Sequence, residues 1–476
     1  MGIHLDKDLV DFALSHAAGK QVEYAEVRAH NEKSEALAMK NGALDAYVSA
    51  VDSGFCVRIL ANGGIGFAST NKWTKEEARN IVEIAYKLAK AATRKDKIKF
   101  IKEKSVQTSW KAEEKKKIDD VPAETRIATF TEMDKELTSQ GINVPGRMFR
   151  SGTTITEKYF VNTEGSLISS YHPRVSAYAF ITVVEDGKSE QAYKQFGYSG
   201  GWEALDEWKL SEQMIEEAKM LKSVIKEAQP VTPGKMDLVC GSEVTGIAAH
   251  ESCGHPMEAD RILGREMSQA GMSFIYPQGP YWLGTKIGSP SVTIIDDPTV
   301  KSSYGYYLYD DEGIKARPRC LYKNGVINEF LQNRESAAKL GKRSNGSSRS
   351  TNYDREAIVR MSNTFVQPGD LNEEEILEDV KHGVYMKSFT EWNIDDKRFN
   401  QRYVGREAYL IENGELKHRI ARPVIETTTL AFWSAVDAVS EKVEYDAATC
   451  GKGDPQQGIP VYTGGPIMRL RGVYVK

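Results

Sequence analysis

The order of hydrophobic and polar residues predicts a chain that opens with a helix and continues as strands. Residues 6–20 carry apolar side chains at near-helical spacing, which indicates an amphipathic helix. The following segments alternate apolar and polar residues around Asn-Gly pairs at 41–42 and 62–63, which are typical hairpin turns. A helix with a capping box follows Thr74. We therefore expect an α+β domain over residues 1–95.

The next part of the chain divides into a charged stretch and a second α+β pattern. Residues 96–121 are dense in Lys and Glu and poor in apolar anchors, which is typical of a solvated connector. Residues 122–229 predict a helix, several alternating strands and one long helix from Leu205 onward. Pro230 and Pro233 break that helix. We therefore expect a middle domain that ends at 229.

Residues 230–476 predict short strands with Gly- and Asn-rich turns, apart from helices around HESCGH (250–255) and near 371–380. The expected fold class is α+β. It has an α/β N-terminal half with antiparallel sheets and long helices, and a mostly β C-terminal half, sandwich or barrel-like, that carries the HESCGH helix.

Composition and charge restrict the possible partners of the chain. The 63 basic and 67 acidic residues among 476 nearly balance, so no overall field favours nucleic acid or an anionic membrane. Charged residues interrupt the apolar runs near the N-terminus, so we expect neither a signal peptide nor a membrane span. The five cysteines are scattered and form no CxxC pair. We expect a cytoplasmic protein with reduced thiols.

HESCGH combines residue types that suit a catalytic zinc site. Two imidazoles can bind zinc, and a neighbouring carboxylate such as Glu251 can take a proton from a water molecule held by the metal. His250 and His255 are five residues apart, about 140° on a regular helix, so one ion requires a π-bulge or a helix end at 252–254. Pro256 predicts an extended His255. The alternative is that both histidines serve only packing or the surface.

A third ligand would decide between these interpretations, and the sequence offers several. Cys253, Glu258 and Asp260 are close in sequence, whereas Cys450 lies in a Gly-rich segment about 200 residues away. A single cysteine is more often a small buried hydrophobic residue than a ligand. Cys253 is expected to point away once a bulge aligns the histidines. Cys450 could approach from another element.

Several blocks in order resemble the TldD peptidases of the TldD/PmbA family, once labelled modulators of DNA gyrase. The similarity covers nearly the whole chain. The blocks are DSGFCVRILANGGIGFAST at 52–70, HESCGHPMEAD at 250–260, YDDEG at 309–313, RMSNT at 360–364, EAYLIENGEL at 407–416 and TCGKGDPQQGIPVYTGGP at 449–466.

The resemblance implies a zinc metallopeptidase in which His250, His255 and Cys450 bind Zn²⁺ and Glu251 activates water. It implies unfolded or short peptides as substrates, held through their backbones with low side-chain specificity, as a strand added to a sheet edge would be. It also implies a dimer, either a homodimer or a heterodimer with a TldE/PmbA-type subunit that lacks the metal motif.

One segment departs from the family pattern. Relatives carry a Gly-rich stretch before the EAYLIENG block, where this chain has TEWNIDDKRFNQRYVGR at 390–406. The wall near the substrate is therefore expected to differ in shape and polarity.

Other polar residues of the blocks have open roles. Arg360 and Asn363 could bind the peptide backbone or a terminal carboxylate, or be buried structural residues. Asp310, Asp311 and Glu312 could line the site or order a turn. Glu258 and Asp260 are expected to orient a metal-binding histidine.

Two rival hypotheses remain at this stage. One is a non-enzymatic regulatory or binding protein of the gyrase-modulator type, although no basic, aromatic-interleaved stretch supports nucleic-acid contact. The other is a closed structural zinc site in which Glu258 or Asp260 fills the fourth position.

Overall fold

A computed structural model describes residues 5–266, 271–277 and 279–476. Residues 1–4, the start of the first expected domain, lie outside that range. In the described residues the strands form a seven-stranded N-terminal sheet, a nine-stranded large C-terminal sheet, a six-stranded small C-terminal sheet and a two-stranded ribbon. The helices are α1 (Lys7–Ala18), α2 (Lys75–Ala91), α3 (Ala123–Thr138), α4 (Glu203–Trp208), α5 (Leu210–Glu227), α6 (Ser242–Ala249), α7 (Ala259–Ile262), α8 (Arg334–Lys339), α9 (Glu373–Glu378) and α10 (Thr429–Ala435).

The N-terminal sheet contains β1 (Tyr24–Lys40), β2 (Ala43–Ala61), β3 (Gly64–Thr70), β4 (Gln107–Lys111), β5 (Gly146–Asn162), β6 (Leu167–Glu185) and β7 (Lys188–Tyr198). The strand order is β3-β2-β1-β5-β6-β4, and β7 also pairs with β6. Asn41 and Asn62 adopt the positive φ that the predicted Asn-Gly turns require. Because β1 pairs with β5 along its length, the first and middle segments of the chain share one sheet.

The segment 96–121 is more than a solvated connector. Its strand β4 pairs in parallel with β6, and Ile98, Ala112 and Ile118 are buried. These few apolar residues anchor the segment although Lys and Glu dominate its composition. The long helix expected from Leu205 is in fact two helices, because Lys209 adopts a left-handed conformation between α4 and α5.

The remaining sheets belong to the C-terminal half. The large C-terminal sheet contains β8 (Gly234–Cys240), β15 (His382–Met386), β16 (Phe389–Ile394), β17 (Asn400–Gly405), β18 (Ala408–Glu412), β19 (Glu415–Arg419), β20 (Val424–Thr428), β21 (Val436–Val439) and β24 (Met468–Val475). The small C-terminal sheet contains β9 (Ile294–Asp296), β10 (Arg319–Lys323), β11 (Val326–Ile327), β14 (Asn363–Val366), β22 (Glu444–Lys452) and β23 (Gln457–Gly465), and the ribbon pairs β12 (Ser348–Arg349) with β13 (Ile358–Val359).

The hydrophobic cores follow this division. Helices α1 and α2 pack on strands β1 to β3, whereas α3 and α5 cover strands β5 to β7. The largest core surrounds α6 with residues from both C-terminal sheets. The predicted α+β class is therefore confirmed, and α8 and α10 add helices that the sequence pattern did not predict. None of the described helices is long and apolar enough to cross a bilayer.

Candidate metal centre and active site

The HESCGH segment forms a π-helical turn at the end of α6. Residues His250–Gly254 are π-helical, and the backbone N–H of His255 donates to the carbonyl of His250. A π-helix closes its hydrogen bonds over five residues, so it brings residues five apart onto one face. The two imidazole rings have centroids 4.9 Å apart and are nearly perpendicular. The predicted π-bulge is therefore confirmed.

The expected extended conformation of His255 is wrong. His255 has φ −60° and ψ −45°, and a 3-10 turn continues over His255–Met257. Proline is tolerated in the first turn of a helix because its missing N–H has no helical acceptor there. The chain becomes extended only at Glu258, where ψ is 116°. The buried contacts of His255 thus override the local preference of a residue before proline.

Gly254 is required for space rather than for an unusual backbone angle. Its φ is −54°, which any residue adopts. A Cβ placed on Gly254 would lie 1.9 Å from the Sδ atom of Met361, which is fully buried. The absent side chain therefore lets the π-helical turn pack against the core.

Cys450 approaches both histidines from strand β22. Its Sγ atom lies 3.5 Å from Nε2 of His255. One ligand atom from each of His250, His255 and Cys450 can be chosen so that all three lie within 4.8 Å of one another. All three side chains are buried. Cys253 is also buried, but it is not part of this group of ligand atoms.

The protonation states of the three groups suit a metal. Burial lowers the pKa of His255 to about 4 and also lowers the pKa of His250, so both imidazoles are neutral at pH 7. Burial raises the pKa of the Cys450 thiol, but His255 and Arg360 outweigh it and lower that pKa to about 7. Neutral imidazoles and a thiolate are the forms that bind zinc.

His250 gives a second indication of a metal. Its Nδ1 atom is buried and has no hydrogen-bond partner within the described part of the chain. Buried polar groups normally have a partner. Imidazole nitrogens and a thiolate sulfur are ligands that suit zinc. The residues present therefore fit Zn²⁺.

Glu258 and Asp260 were both expected to orient a metal-binding histidine, but they make different contacts. Glu258 lies 3.0 Å from Nδ1 of His255 through its Oε2 atom. Asp260 instead accepts hydrogen bonds from Nζ of Lys452, at 2.7 and 2.8 Å. Burial raises the pKa of Glu258, but Lys452 and Arg261 outweigh it and hold that pKa well below its usual range. Glu258 therefore contacts His255 as a carboxylate, whereas Asp260 is connected to the histidine through Lys452 and Glu258 and through Arg261.

The candidate metal-binding groups open onto a cavity of about 1050 Å³, here called the catalytic cavity. Residues of β7, β16 and β22 line it together with His250, Glu251, His255 and Cys450. In the described part of the chain, each of these strands pairs with a single neighbour, so each lies at an edge of its own sheet. The cavity wall therefore includes edge strands from the N-terminal sheet, the large C-terminal sheet and the small C-terminal sheet.

Glu251 is held by a residue that the sequence analysis missed. Its Oε2 atom accepts a hydrogen bond from Nη1 of Arg398, and both side chains line the catalytic cavity. Arg398 lies between β16 and β17 and has a φ of 62°. It belongs to the segment 390–406, whose departure from the family pattern was the available signal. No motif singled out this arginine within that segment.

Arg360 and Asn363 do not line the catalytic cavity. Both are fully buried. Arg360 donates to the carbonyls of Cys450 and Gln457, and so fixes the β22–β23 hairpin. Asn363 donates to the Asp297 carbonyl and accepts from the Tyr462 N–H. These contacts fit the structural role that the sequence left open.

The acidic residues 310–312 lie away from the catalytic cavity. Asp310 accepts hydrogen bonds from three backbone N–H groups and thereby orders its own turn. Asp311 forms an ion pair with Lys158 at 2.7 Å, and Glu312 forms one with Arg58 at 2.7 Å. These carboxylates therefore join the C-terminal half to the N-terminal sheet.

Comparison with known proteins gives matches along the chain. Residues 25–89, 116–223 and 233–476 match domain 1, the central domain and the C-terminal domain of the PmbA/TldA metallopeptidases. A metalloprotease of Methanothermobacter thermautotrophicus is 32% identical over 464 residues, covering 96% of each chain. A zinc metalloprotease TldD homolog of Saccharolobus solfataricus is 26% identical over 446 residues, covering 90% of this chain and 91% of that protein.

Two solved structures share the fold. TldE from Thermococcus kodakarensis has a TM-score of 0.76 at 15% identity and covers 98% of this chain and 99% of its own. A putative modulator of a DNA gyrase from Thermotoga maritima has a TM-score of 0.78 at 17% identity and covers 99% of this chain and 100% of its own.

Proposed function

This chain belongs to the PmbA/TldD metallopeptidase family, and on that premise we propose that it is a zinc-dependent peptidase with Glu251 as its general base. One observation carries the proposal. The candidate ligand atoms of His250, His255 and Cys450 converge within 4.8 Å, and Glu251 lines the same cavity. A structure with the thiol remote from the imidazoles would not have supported it.

His250, His255 and Cys450 would hold the zinc ion. When bound, the ion would supply a Lewis acid that polarises the scissile carbonyl and makes water more acidic. Glu258 keeps the His255 ring in place through the contact with Nδ1, which leaves Nε2 for the metal.

Glu251 would accept the proton of the attacking water and deliver it to the amine that leaves. General acid-base transfer of this kind requires a carboxylate that lies beside the reacting atoms. Arg398, which also lines the cavity, donates a hydrogen bond to the Glu251 carboxylate. The arginine thereby restricts the carboxylate to one orientation before the substrate arrives.

Unfolded or short peptides are the proposed substrates. An edge strand presents unpaired backbone N–H and C=O groups, to which an extended peptide can add as a further strand. Strands β7, β16 and β22 supply such edges in the wall of the catalytic cavity. Binding through the backbone would give low side-chain specificity.

Glu251→Gln tests the chemistry. The variant should keep the zinc content of the wild-type chain, measured by mass spectrometry of the metal, because Glu251 is not a ligand. It should cleave unstructured decapeptides at least about 100-fold more slowly. His250→Ala should lose both zinc and cleavage. Cleavage by Glu251→Gln at the wild-type rate would exclude the proposed base.

Backbone recognition has its own test. Decapeptides that differ only in side chains should be cleaved at rates within about tenfold of one another. The same peptides N-methylated at residues flanking the scissile bond should be cleaved much more slowly, because they cannot donate to an edge strand. Strong discrimination between side chains, with tolerance of N-methylation, would contradict backbone binding.

The non-enzymatic binding protein remains the alternative, with zinc in a structural site. Such a protein would bind zinc as tightly as the proposed peptidase and cleave none of the peptides. In the closed-site version Glu258 or Asp260 would be a fourth ligand. Cleavage of peptides by the zinc-loaded chain separates the peptidase from both alternatives.

A dimer is proposed from family membership, either of two copies or with a TldE/PmbA-type subunit. Analytical ultracentrifugation of the purified chain should give twice the monomer mass for a homodimer. A monomer that doubles its mass only with a TldE/PmbA-type chain would indicate the heterodimer.

A further inference from the structure

A second cavity, of about 310 Å³, lies between the N-terminal sheet and the C-terminal half. We call it the arginine cavity because Arg28, Arg174 and Arg349 line it, together with Lys158. It is distinct from the catalytic cavity. Cys450 lines the catalytic cavity, whereas Ile459, its partner across the β22–β23 hairpin, lines the arginine cavity.

The positive charges of the arginine cavity are only partly compensated. Asp311 pairs with Lys158 at 2.7 Å and lies 3.9 Å from Arg28. Arg174 and Arg349 have no carboxylate within 4.0 Å in the part of the chain that the structure describes. Glu32 and Asp310 also line the cavity. Glu32 accepts a hydrogen bond from Thr156 and attracts Arg174 only from beyond 4.0 Å. Burial raises the pKa of Asp310 well above its usual value, so this carboxyl group is poorly suited to balance the two arginines.

Arg349 is the clearest case of a charge without a carboxylate partner in the described residues, although its guanidinium lies 5.1 Å from the centroid of the Tyr307 ring. Arg349 is only 6% exposed. In the described residues its hydrogen bonds both come from Nη1, which donates to the carbonyls of Met361 and Pro460. Burial, with the charges of Arg174 and Arg360, lowers the pKa of Arg349 to about 10. A buried charge without a counter-ion is costly, so such a group is usually matched by an anion.

Arg174 faces the same cavity from strand β6. Its Nη2 atom lies 3.0 Å from Nδ1 of His172, and its Nε atom is buried without a hydrogen-bond partner in the described chain. Burial also lowers the pKa of Arg174. Two guanidinium groups with unused donors therefore line one enclosed space. Tyr304 and Tyr307 add aromatic surface to its wall.

We propose that the arginine cavity binds a small molecule that carries a carboxylate or phosphate group, with Arg174 and Arg349 as the groups that hold this oxyanion. The planar fork of a guanidinium matches both kinds of oxyanion through paired N–H donors. The volume fits a small organic molecule rather than a polypeptide segment. The site is independent of the proposed peptidase reaction, because none of the metal-binding groups lines it.

Isothermal titration calorimetry of the zinc-loaded full chain tests the proposal, with inorganic phosphate and succinate as probes. Sodium chloride keeps the ionic strength constant. At least one probe should bind saturably, and Arg349→Gln should weaken that binding at least tenfold. Arg174→Gln is the second variant, and it keeps the proposal testable if Arg349→Gln does not fold. A preference for phosphate or for succinate identifies the source of the oxyanion.

Two control variants complete the experiment. Arg150→Gln removes an exposed positive charge from strand β5 and should leave binding unchanged. Cys450→Ser impairs the metal centre and should also leave binding unchanged. The proposal is overturned if neither probe binds the wild-type chain, if Arg174→Gln binds as well as the wild-type chain, or if Cys450→Ser abolishes binding.

Discussion

The carboxylate of Glu251 accepts a hydrogen bond from the guanidinium of Arg398 inside the catalytic cavity. The two residues are 147 positions apart and belong to different elements, the π-helical turn after α6 and the β16–β17 connection. Both side chains are largely buried. The pair therefore couples the orientation of the proposed base to the conformation of a hairpin in the segment 390–406.

Arg398→Met should lower the free energy of unfolding by about 3 kcal/mol, because it leaves the buried Glu251 carboxylate without its cation. Chemical denaturation measures this loss. Arg402→Met is a matched control in strand β17, since Arg402 forms only exposed ion pairs with Glu391 and Glu426. The control should cost less than about 1 kcal/mol. Equal losses in both variants would mean that the buried Glu251–Arg398 pair contributes no more to the free energy of unfolding than an exposed ion pair.

Glu258→Gln should weaken zinc binding about 10–100-fold, because the carboxylate that orients His255 would be replaced by a neutral amide. Asp260→Asn should have a smaller effect, since Asp260 contacts Lys452 rather than a histidine. Competition with a zinc chelator gives both affinities, and circular dichroism confirms that the variants fold. If Asp260→Asn weakens zinc binding as much as Glu258→Gln does, the direct contact between Glu258 and His255 does not determine the zinc affinity.

Gly254→Ala should destabilise the chain by about 1–3 kcal/mol, because the new methyl group would overlap Sδ of Met361. Thermal unfolding of Gly254→Ala, Met361→Ala and the double variant forms a cycle. The double variant should be more stable than the sum of the single effects predicts. Gly234→Ala is the control, since nothing lies within 4 Å of a Cβ there. Strict additivity in the cycle would argue against the overlap.

Asp311→Asn should lower the free energy of unfolding by about 2 kcal/mol at pH 7, because it breaks a partly buried ion pair with Lys158. Burial opposes ionisation, but Lys158 and Arg28 hold the pKa of Asp311 well below its usual range. A lowered folded-state pKa gives stability that is present above the unfolded pKa of about 3.9 and is lost as the pH falls further.

The difference between wild type and Asp311→Asn should therefore shrink below about pH 4. Urea denaturation from pH 3 to pH 7 measures it. Asp119→Asn removes an exposed partner of Lys33 and should show a much smaller difference throughout. A difference that stays constant down to pH 3 would mean that the charge of Asp311 is not responsible.

The sequence was sufficient where local geometry determines structure. The five-residue spacing of His250 and His255 admits one ion only if the helix departs from α geometry, and the π-helical turn follows from that requirement. The Asn-Gly turns likewise form where their tolerance of positive φ predicts them. Both predictions rest on constraints that act within a few residues.

Features that depend on distant contacts could not be predicted in this way. The helical conformation of His255 results from buried neighbours that outweigh the preference set by Pro256. The different positions of Glu258 and Asp260 depend on Lys452, which arrives from a strand almost 200 residues away. The sequence around Arg398 did not mark it as a buried residue of the site. An arginine in a polar turn is ordinarily exposed to solvent.

The two halves of the chain supply different parts of the catalytic cavity, and this limits how the chain can be shortened. Every group assigned to the metal, and Glu251 with its arginine, lies C-terminal to residue 230, whereas β7 comes from the opposite half. A fragment that begins at 230 would keep the reactive groups but lose one rim against which a polypeptide could lie. On the proposed function, binding of the ion would need only the C-terminal half, whereas binding of the peptide would need both halves.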